Sequence, residues 1–315
     1  YLVISAVSYP FLAIYNSCAA LFRSMGNSKI SMQVSVVMNG INIFGDAVFI
    51  FGFHMGVAGA AFASLISRMI ACVILMVRLF DPKLEITLKG TKFGWNQRIV
   101  GRILQIGIPS GVENSIFQLG RVIGVGFITM FGTTQIAANA VANNLDALGI
   151  LPAQAMNLAL ITVIGQCVGA GDYKQAEYYA KKLMKLTYLI NGVCCMTVIA
   201  TMPLTLKLYG LSAETLVLAA TLVLIHNGFA VLLWPASFTL TSVLRAANDV
   251  KYPMCISMLS MILVRLGFGY MLCVGQGWGA LGVWAATILD WTVRVICFVR
   301  RYRSGKWKQY YRADA

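Results

Sequence analysis

The chain has 315 residues, of which 59% are hydrophobic and only 11% are charged, and its formal net charge is +14. Soluble domains carry roughly 25% charged residues, so this composition excludes an ordinary soluble protein, and its hydrophobicity excludes a disordered one. The basic excess does not indicate a nucleic-acid partner, because it is confined to connections between apolar segments, as described below. The composition therefore predicts a membrane protein.

Nine apolar segments are long enough to cross a bilayer as helices, which takes about 20 residues. Three of them exceed one straight crossing and contain Pro109, Pro152 and Pro235. Because proline removes a backbone hydrogen bond, these three helices either bend around a cavity or are ordinary tilted spans. The predicted spans are residues 1–22, 31–53, 57–79, 103–131, 135–167, 183–206, 214–244, 252–275 and 279–300.

Basic residues occupy every second connection between the predicted spans, whereas the alternate connections contain only Lys207. Cytoplasmic loops carry the excess of Lys and Arg. We therefore expect a multi-pass protein of the plasma (inner) membrane with a cytoplasmic C-terminus and with Tyr1 near the outer face. The expected domains are three spans of an N-terminal lobe (1–80), a cytoplasmic linker (81–102), a C-terminal lobe of six spans (103–302) and a basic cytoplasmic tail (303–315).

Two parts of the chain resemble each other. LFRSMGNSKISM, beginning at Leu21, matches VLRAANDVKYPM, beginning at Val243, and GVAGAAFAS (56–64) matches GALGVWAAT (279–287). Both copies start at a predicted cytoplasmic loop, which is typical of parallel repeats. The three spans within 103–206 have no counterpart before the first copy. We therefore expect an all-α, polytopic helical membrane protein with two parallel-repeat six-helix lobes, the first of them incomplete.

Small residues recur where the last matched span of each copy begins. This spacing predicts close packing of helices rather than chemistry. The residues are Gly56, Gly59 and Ala63 in the first copy, and Gly279, Gly282 and Ala286 in the second.

Ionisable side chains within membrane spans are costly, and they indicate function or pairing. We expect Glu113 and Asp146 to be the groups that couple transport to an ion or a proton. The remaining charges are expected to be structural, and Asp290 and Arg294 have the i,i+4 spacing of a pair. The structural charges are Asp46, Arg68, Arg121, Arg265, Asp290 and Arg294.

Glu113 lies one turn after Pro109 on the fourth span. Its carboxylate either exchanges a proton, or ligates Na⁺ together with nearby amide oxygens, or forms a salt bridge with Arg121 two turns further on. No other metal site and no cofactor are expected, apart from Na⁺ or H⁺ as the coupling cation. The eight cysteines lie in apolar stretches without the spacing of a metal site or a disulfide framework.

Asn139, Asn143 and Asp146 recur at spacings of four and three, so they share one face of the fifth span. This polar stripe either faces a cavity or hydrogen-bonds to another helix. His226, on the seventh span, either carries protons near neutral pH or is a hydrogen-bonded structural residue. The expected residues of a substrate cavity are Asn114, Phe117, Gln118, Asn139, Asn143, His226, Asn227 and Trp234.

The glycine-rich segment GAGDYK (169–174) ends in lysine but follows a predicted membrane helix and lacks the spacing of a phosphate-binding loop. Asp172 and Gln175 instead predict a capping box that starts a basic helix over 173–185. We expect this helix to lie along the inner membrane surface, with its lysines facing headgroup phosphates.

Six stretches resemble the signature stretches of the multidrug and toxic compound extrusion (MATE) transporters. They are LFRSMGNSK, NIFGDAVFI, GVAGAAFAS, IGIPSGVENSIF, GQCVGAGDYKQA and VLRAANDVKYP. The resemblance covers essentially the whole chain, as spans four to twelve of the family's twelve. It implies a two-lobed antiporter that exports organic cations or other amphipathic compounds in exchange for Na⁺ or H⁺. We expect a monomer in the lipid bilayer whose partners are small-molecule substrates.

The sequence departs from the family at two positions and leaves one alternative open. The sodium-coupled branch has acids where this chain has Phe117 and Trp234, so its Na⁺ site does not carry over directly. The alternative is a lipid-linked oligosaccharide flippase of related architecture, whose basic residues would hold pyrophosphate. A central cavity faced by both Arg121 and Arg265 would favour that alternative. An enzyme is not expected, because no catalytic motif is present.

Overall fold

The computed structural model describes residues 2–90 and 94–309. In these ranges the chain consists of helices and short connections, without a β-strand. Nine long helices in the described part correspond to the nine predicted spans, and a short 3₁₀ turn, Lys306–Gln309, follows the last one. The helices are α1 (Leu2–Ser24), α2 (Ser28–Gly52), α3 (Gly56–Leu79), α4 (Gln97–Thr129), α5 (Thr133–Gly169), α6 (Tyr173–Leu208), α7 (Ala213–Ala246), α8 (Lys251–Gly275) and α9 (Ala280–Arg303).

Eight of these helices are long and apolar enough to cross a membrane, and α4 is the exception. Helix α4 has 33 residues, but polar side chains such as Gln105, Glu113, Asn114 and Gln118 lower its mean hydropathy. A polar helix at membrane depth has to face protein or a cavity rather than lipid. The predicted all-α, polytopic membrane fold is confirmed.

The chain forms two compact units, of which the first ends at Trp95 and the second begins at Asn96. The first unit contains α1 to α3, and the second contains α4 to α9. The boundary falls within the predicted linker 81–102, of which residues 91–93 lie outside the described part. The assignment of the units to two lobes of a repeat stays a prediction.

In the first unit, α1 and α2 pack on α3 around a core that includes Phe22 and Leu75. Two of the expected structural charges lie here. The guanidinium of Arg68 donates a hydrogen bond to the hydroxyl of Ser8. Asp46 has a buried carboxylate oxygen without a hydrogen-bond partner in the described residues. Neither of these charges forms an ion pair with another side chain in residues 2–90 and 94–309.

The second unit has three clusters of buried apolar residues along its helices. One includes Leu145 and Leu222, and another includes Leu160 and Leu244. A smaller cluster, which contains Trp234 and Trp291, lies between these two clusters along helices α5, α6, α7 and α9. The helices are therefore packed tightly towards both ends, while the middle of the unit contains aromatic side chains next to a cavity.

The predicted small-residue packing holds for one glycine in each copy of the repeat. A Cβ on Gly59 would lie 2.9 Å from the Cβ of Phe49, and a Cβ on Gly282 would lie 2.5 Å from the backbone nitrogen of Cys273. Each glycine presses the start of its helix against the preceding helix. Gly56 and Gly279 have φ values of +53° and +56°, so these positions also favour glycine for their backbone conformation at the beginning of the helix.

Gly282→Ala is expected to destabilise the protein, because the new methyl group meets backbone atoms that cannot move aside. Overpacking of this kind costs roughly 1–3 kcal/mol. The apparent melting temperature of the purified protein in detergent should fall. Gly165→Ala on α5 is the matched control, since a Cβ there meets nothing within 4 Å and alanine favours the helix. A drop of equal size in both variants would refute the packing argument.

The segment 173–185 is the beginning of α6 and not a separate helix on the membrane surface. Its lysines are exposed, as expected, but Ala176 and Ala180 are buried against residues of α7 such as Leu240. The apolar face therefore packs on protein, and the orientation of the lysines towards headgroup phosphates stays a prediction. The Asp172 side chain accepts from the backbone N–H of Gln175 at 2.9 Å, so the N-cap half of the predicted capping box is confirmed. The reciprocal half is absent, because the Asp172 N–H donates to the Cys167 carbonyl and the Gln175 side-chain oxygen accepts from Cys167 Sγ.

The residues after α9 fold back onto the beginning of α6. Lys308 Nζ lies 2.8 Å from Glu177 Oε2, and the Trp307 ring, which is 1% exposed, stacks on Tyr302. The tail expected over 303–315 is thus anchored as far as Gln309, and residues 310–315 lie outside the described part.

Candidate functional site

A cavity of about 470 Å³ lies inside the second unit and is lined by α4, α5, α7, α8 and α9. This volume is within the range of small-molecule sites. The three long helices that contain Pro109, Pro152 and Pro235 all contribute to its wall, so the cavity alternative for these helices holds. Pro235 begins a π-helical turn, Pro235–Thr239, and π-turns often occur at functional sites.

Glu113 lines this cavity and forms an ion pair with Arg245, with 2.6 Å between Glu113 Oε2 and Arg245 Nη2. The salt bridge to Arg121 that the sequence left open is therefore wrong. Arg121 is two turns further along the same helix, about 12 Å by the helical rise, whereas Arg245 reaches Glu113 from α7.

Asp146 and His226 are both buried and are hydrogen-bonded to each other through Oδ1 of Asp146 and Nδ1 of His226. Both line the cavity. The two alternatives for the polar stripe on α5 thus coincide, because Asp146 faces the cavity and also bonds to another helix. The His226 ring lies edge-on to Trp284 and Trp291, with centroid distances of 4.8 and 4.6 Å.

A second cavity of about 350 Å³ adjoins the first, and Arg121, Asn143, His226 and Arg265 line both. Asn139 belongs to the second cavity. Its side-chain oxygen accepts from the Trp284 indole N–H at 2.8 Å and from the Asn143 amide at 3.1 Å. The polar stripe therefore joins the two cavities through a hydrogen-bonded chain.

Three arginines that were expected to be structural also line the cavities. Arg294 forms the ion pair with Asp290 that the spacing predicted, at 2.9 Å, and is 2% exposed. Arg265 Nη1 lies 4.0 Å from the other Asp290 oxygen. Arg121 is exposed and has no carboxylate within ion-pair distance in residues 2–90 and 94–309. The structural role expected for Arg121 and Arg265 stays a prediction.

Aromatic side chains form one wall of the larger cavity. Phe117 packs edge-on against Phe238, and its ring lies 5.2 Å from the guanidinium carbon of Arg265 and 5.4 Å from that of Arg294. Trp234 stacks on Phe238 at 5.2 Å. Such cation–π contacts hold guanidinium groups against the wall without neutralising their charge.

Two expected cavity residues are elsewhere. Gln118 is exposed and lines neither cavity. Asn227 is fully buried, and its amide donates to the carbonyl of Val223 in its own helix at 3.1 Å. Asn114 does line the larger cavity, although its amide donates to the Ser110 carbonyl at 2.9 Å.

Several lining residues were missed by the sequence interpretation. Those on α7 follow Pro235, and a proline inside a long apolar span is a sequence signal that could have indicated them. The other missed residues have no comparable signal. The missed residues are Ala147, Ile150, Gln154, Asn157, Ser237, Phe238, Thr241, Ser242, Arg245, Ser257 and Trp291. In the described part of the chain, no group of three or more His, Cys, Asp and Glu side chains converges as a metal site.

Membrane-length helices around a polar internal cavity define a multi-pass membrane transport protein. The MatE family profile matches residues 109–271, which is more than half of the chain. The chain belongs to the MatE family, and the resemblance inferred from the sequence is confirmed. Proteins of this family are transporters and not enzymes.

Known relatives extend the similarity over nearly the whole chain. It is 29% identical to the uncharacterized transporter YisQ of Bacillus subtilis (strain 168), over 94% of this chain and 66% of YisQ. It is 24% identical to the probable multidrug resistance protein NorM of Thermotoga maritima, over 96% of this chain and 65% of NorM. The chain therefore spans just under two thirds of the length of these relatives.

Solved structures agree in fold. One describes the outward-facing conformation of a multidrug resistance MATE family transporter of the MOP superfamily. It matches with a TM-score of 0.83 over 94% of this chain and 66% of that chain, at 22% identity. At this identity the similarity concerns the fold alone.

Proposed function

We propose that the protein exports amphipathic organic compounds across the plasma membrane in exchange for a cation, by alternating access, with its C-terminus in the cytoplasm. The observation that carries the proposal is the cavity that contains the Asp146–His226 pair inside a MatE fold. Relatives named as probable multidrug resistance proteins support this activity.

Exchange requires that the cation and the substrate prefer different states of the same cavity. In the proposed cycle, the hydrogen-bonded Asp146–His226 pair has one negative charge before it takes up a proton. Uptake of one proton makes the pair neutral. A basic group of a substrate that rests against Asp146 is then released, so proton and substrate compete for one negative charge.

We infer that the coupling cation is H⁺ and not Na⁺. Glu113, the expected Na⁺ ligand, already faces the Arg245 guanidinium at 2.6 Å. A bound Na⁺ would meet a positive charge beside the same carboxylate, and like charges at this distance repel strongly in a medium of low dielectric constant. Asp146 has a titratable partner instead, which suits proton exchange.

Proteoliposomes that contain the natural full-length protein test the proposal. An imposed proton gradient should drive ethidium movement against its concentration gradient, and an Na⁺ gradient at constant pH should not. Collapsing the proton gradient with an ionophore should stop the movement. Ethidium movement under neither gradient would rule out the proposed exchange, and movement under the Na⁺ gradient alone would reverse the choice of ion.

A lipid-linked oligosaccharide flippase remains the second candidate, because Arg121 and Arg265 both line the cavity. Guanidinium groups bind phosphate oxygens in a bidentate manner. The same proteoliposomes can be tested with a fluorescent polyprenyl-pyrophosphate oligosaccharide. Protein-dependent movement of this lipid between leaflets, without ethidium transport, would favour the flippase.

A further inference from the structure

The Asp146 carboxylate has His226 as its one side-chain hydrogen-bond partner in residues 2–90 and 94–309. Two asparagines share its face of α5, because Asn143 lies one turn before Asp146 and Asn139 lies two turns before it. An amide N–H that turned towards this carboxylate would stabilise the negative charge and so compete with a proton. Proton exchange at the pair therefore depends on what holds the two asparagine amides.

The Asn143 amide is bonded on the side away from Asp146. Its Nδ2 donates to the backbone carbonyl of Asn139 at 2.7 Å and to the Asn139 side-chain oxygen at 3.1 Å. The same side-chain oxygen accepts from the indole N–H of Trp284 on α9 at 2.8 Å. An amide oxygen has two lone pairs for hydrogen bonds, and here two donors occupy them. Trp284 therefore holds the Asn139 side chain, which in turn holds the amide of Asn143.

The Trp284 ring also contacts the other member of the pair. It is buried, and its centroid lies 4.8 Å from that of the His226 ring, which it meets edge-on. Trp291, two turns further along α9, lies 4.6 Å from the same ring. The indole N–H of Trp291, however, has no hydrogen-bond partner in the described residues. Of these two tryptophans, Trp284 alone connects the imidazole to the polar stripe of α5.

We propose that Trp284 is a positioning residue for proton exchange. Its N–H keeps the amides of Asn139 and Asn143 turned away from Asp146, so the carboxylate stays available to His226 and to the incoming proton. Trp284 thereby sets the pH at which the pair takes up its proton. The inference rests on the proposed function and adds to it a residue that acts on Asp146 through two asparagines.

Other charged and titratable groups face the pair from the helices around it. They are Glu113 and Arg121 on α4, Cys195 on α6, Arg245 on α7, Arg265 on α8 and Arg294 on α9. The variants described below leave all of these groups in place. A difference in pH dependence between the variants therefore reports on the amide chain and not on a changed charge.

Binding of the cationic dye rhodamine 123 to the natural full-length protein in detergent tests the inference. Fluorescence anisotropy between about pH 5 and 8 gives the midpoint at which acidification weakens binding. Trp284→Phe keeps an aromatic ring beside His226 but removes the N–H that holds Asn139. Once released, an amide that donates to Asp146 makes proton uptake harder. The midpoint should therefore move to lower pH by about 0.5 to 1 pH unit, which corresponds to one hydrogen bond.

Trp291→Phe is the matched control, because it makes the same ring change beside the same imidazole and removes no hydrogen bond. Its dye affinity is free to change, since Trp291 lines the larger cavity, but its pH midpoint should equal that of the wild type. Asn139→Leu breaks the same link from α5 and should also lower the midpoint, which keeps the test valid if Trp284→Phe does not fold. The double variant Trp284→Phe/Asn139→Leu should show no further shift.

The outcomes separate this inference from the proposed function. An unchanged midpoint in Trp284→Phe, or equal shifts in Trp284→Phe and Trp291→Phe, would overturn the inference and leave proton exchange standing. A shift to higher pH would also overturn it, because Trp284 would then oppose proton uptake. Wild-type binding that does not depend on pH would remove the proposed proton exchange, and the inference with it.

Discussion

Asp146→Asn is expected to uncouple transport from the proton gradient while leaving the protein folded. The asparagine oxygen still accepts the hydrogen bond from His226, so the link between α5 and α7 persists. The site loses the negative charge for which proton and substrate compete. Coupling energies between sites are typically 1–3 kcal/mol, a factor of roughly 5 to 150. Gradient-driven accumulation of the dye should decrease by a factor in this range.

Proton release on dye addition, followed with pyranine in weakly buffered detergent solution, is the direct measurement. The wild type should release protons on binding rhodamine 123, and Asp146→Asn should not. Asp81→Asn, in an exposed connection of the first unit, makes the same chemical change as a control. His226→Gln should flatten the dependence of binding on pH near neutrality. Full proton release by Asp146→Asn would exclude Asp146 as the coupling group.

Most of the fold could be predicted because membrane helices are specified locally. An apolar run of about 20 residues is sufficient for a span, so all nine helices have counterparts among the predicted spans. The end of the chain was harder to predict. Lys308 is next to basic residues in the sequence, but its partner Glu177 lies on α6, which is more than a hundred residues away.

The site was predicted less well because pairing depends on which helices are neighbours. Asp290 and Arg294 are on one helix, so their spacing was informative. Glu113 and Arg245 are on different helices, and no local pattern connects them. Arg121 and Arg265 were grouped with the structural charges because the sequence does not show which acids they face. Only the structure shows that Asp290 lies within ion-pair distance of two arginines, Arg265 and Arg294.

Glu113→Gln is expected to loosen the first half of α4. Glu113 is the first buried residue of this helix, and the other buried residues are Gly120, Gly124 and Ile128. The ion pair with Arg245 therefore joins α7 to the half of α4 that has no other buried residue. Removing one partner of a buried pair costs roughly 3–5 kcal/mol. The Arg245 side chain is 27% exposed, which screens the charge and reduces the expected cost to about 2 kcal/mol.

Hydrogen–deuterium exchange measures this effect locally. Amides of residues 97–112 should exchange faster in Glu113→Gln, whereas those of α5 and α6 should not change. Glu113→Gln/Arg245→Gln should recover part of the apparent melting temperature, because the double variant no longer leaves a guanidinium without its carboxylate. If the double variant is instead less stable by the sum of both single effects, the two side chains act independently. In that case α4 is held by other contacts, and Glu113 returns as a candidate for direct proton exchange in the cavity.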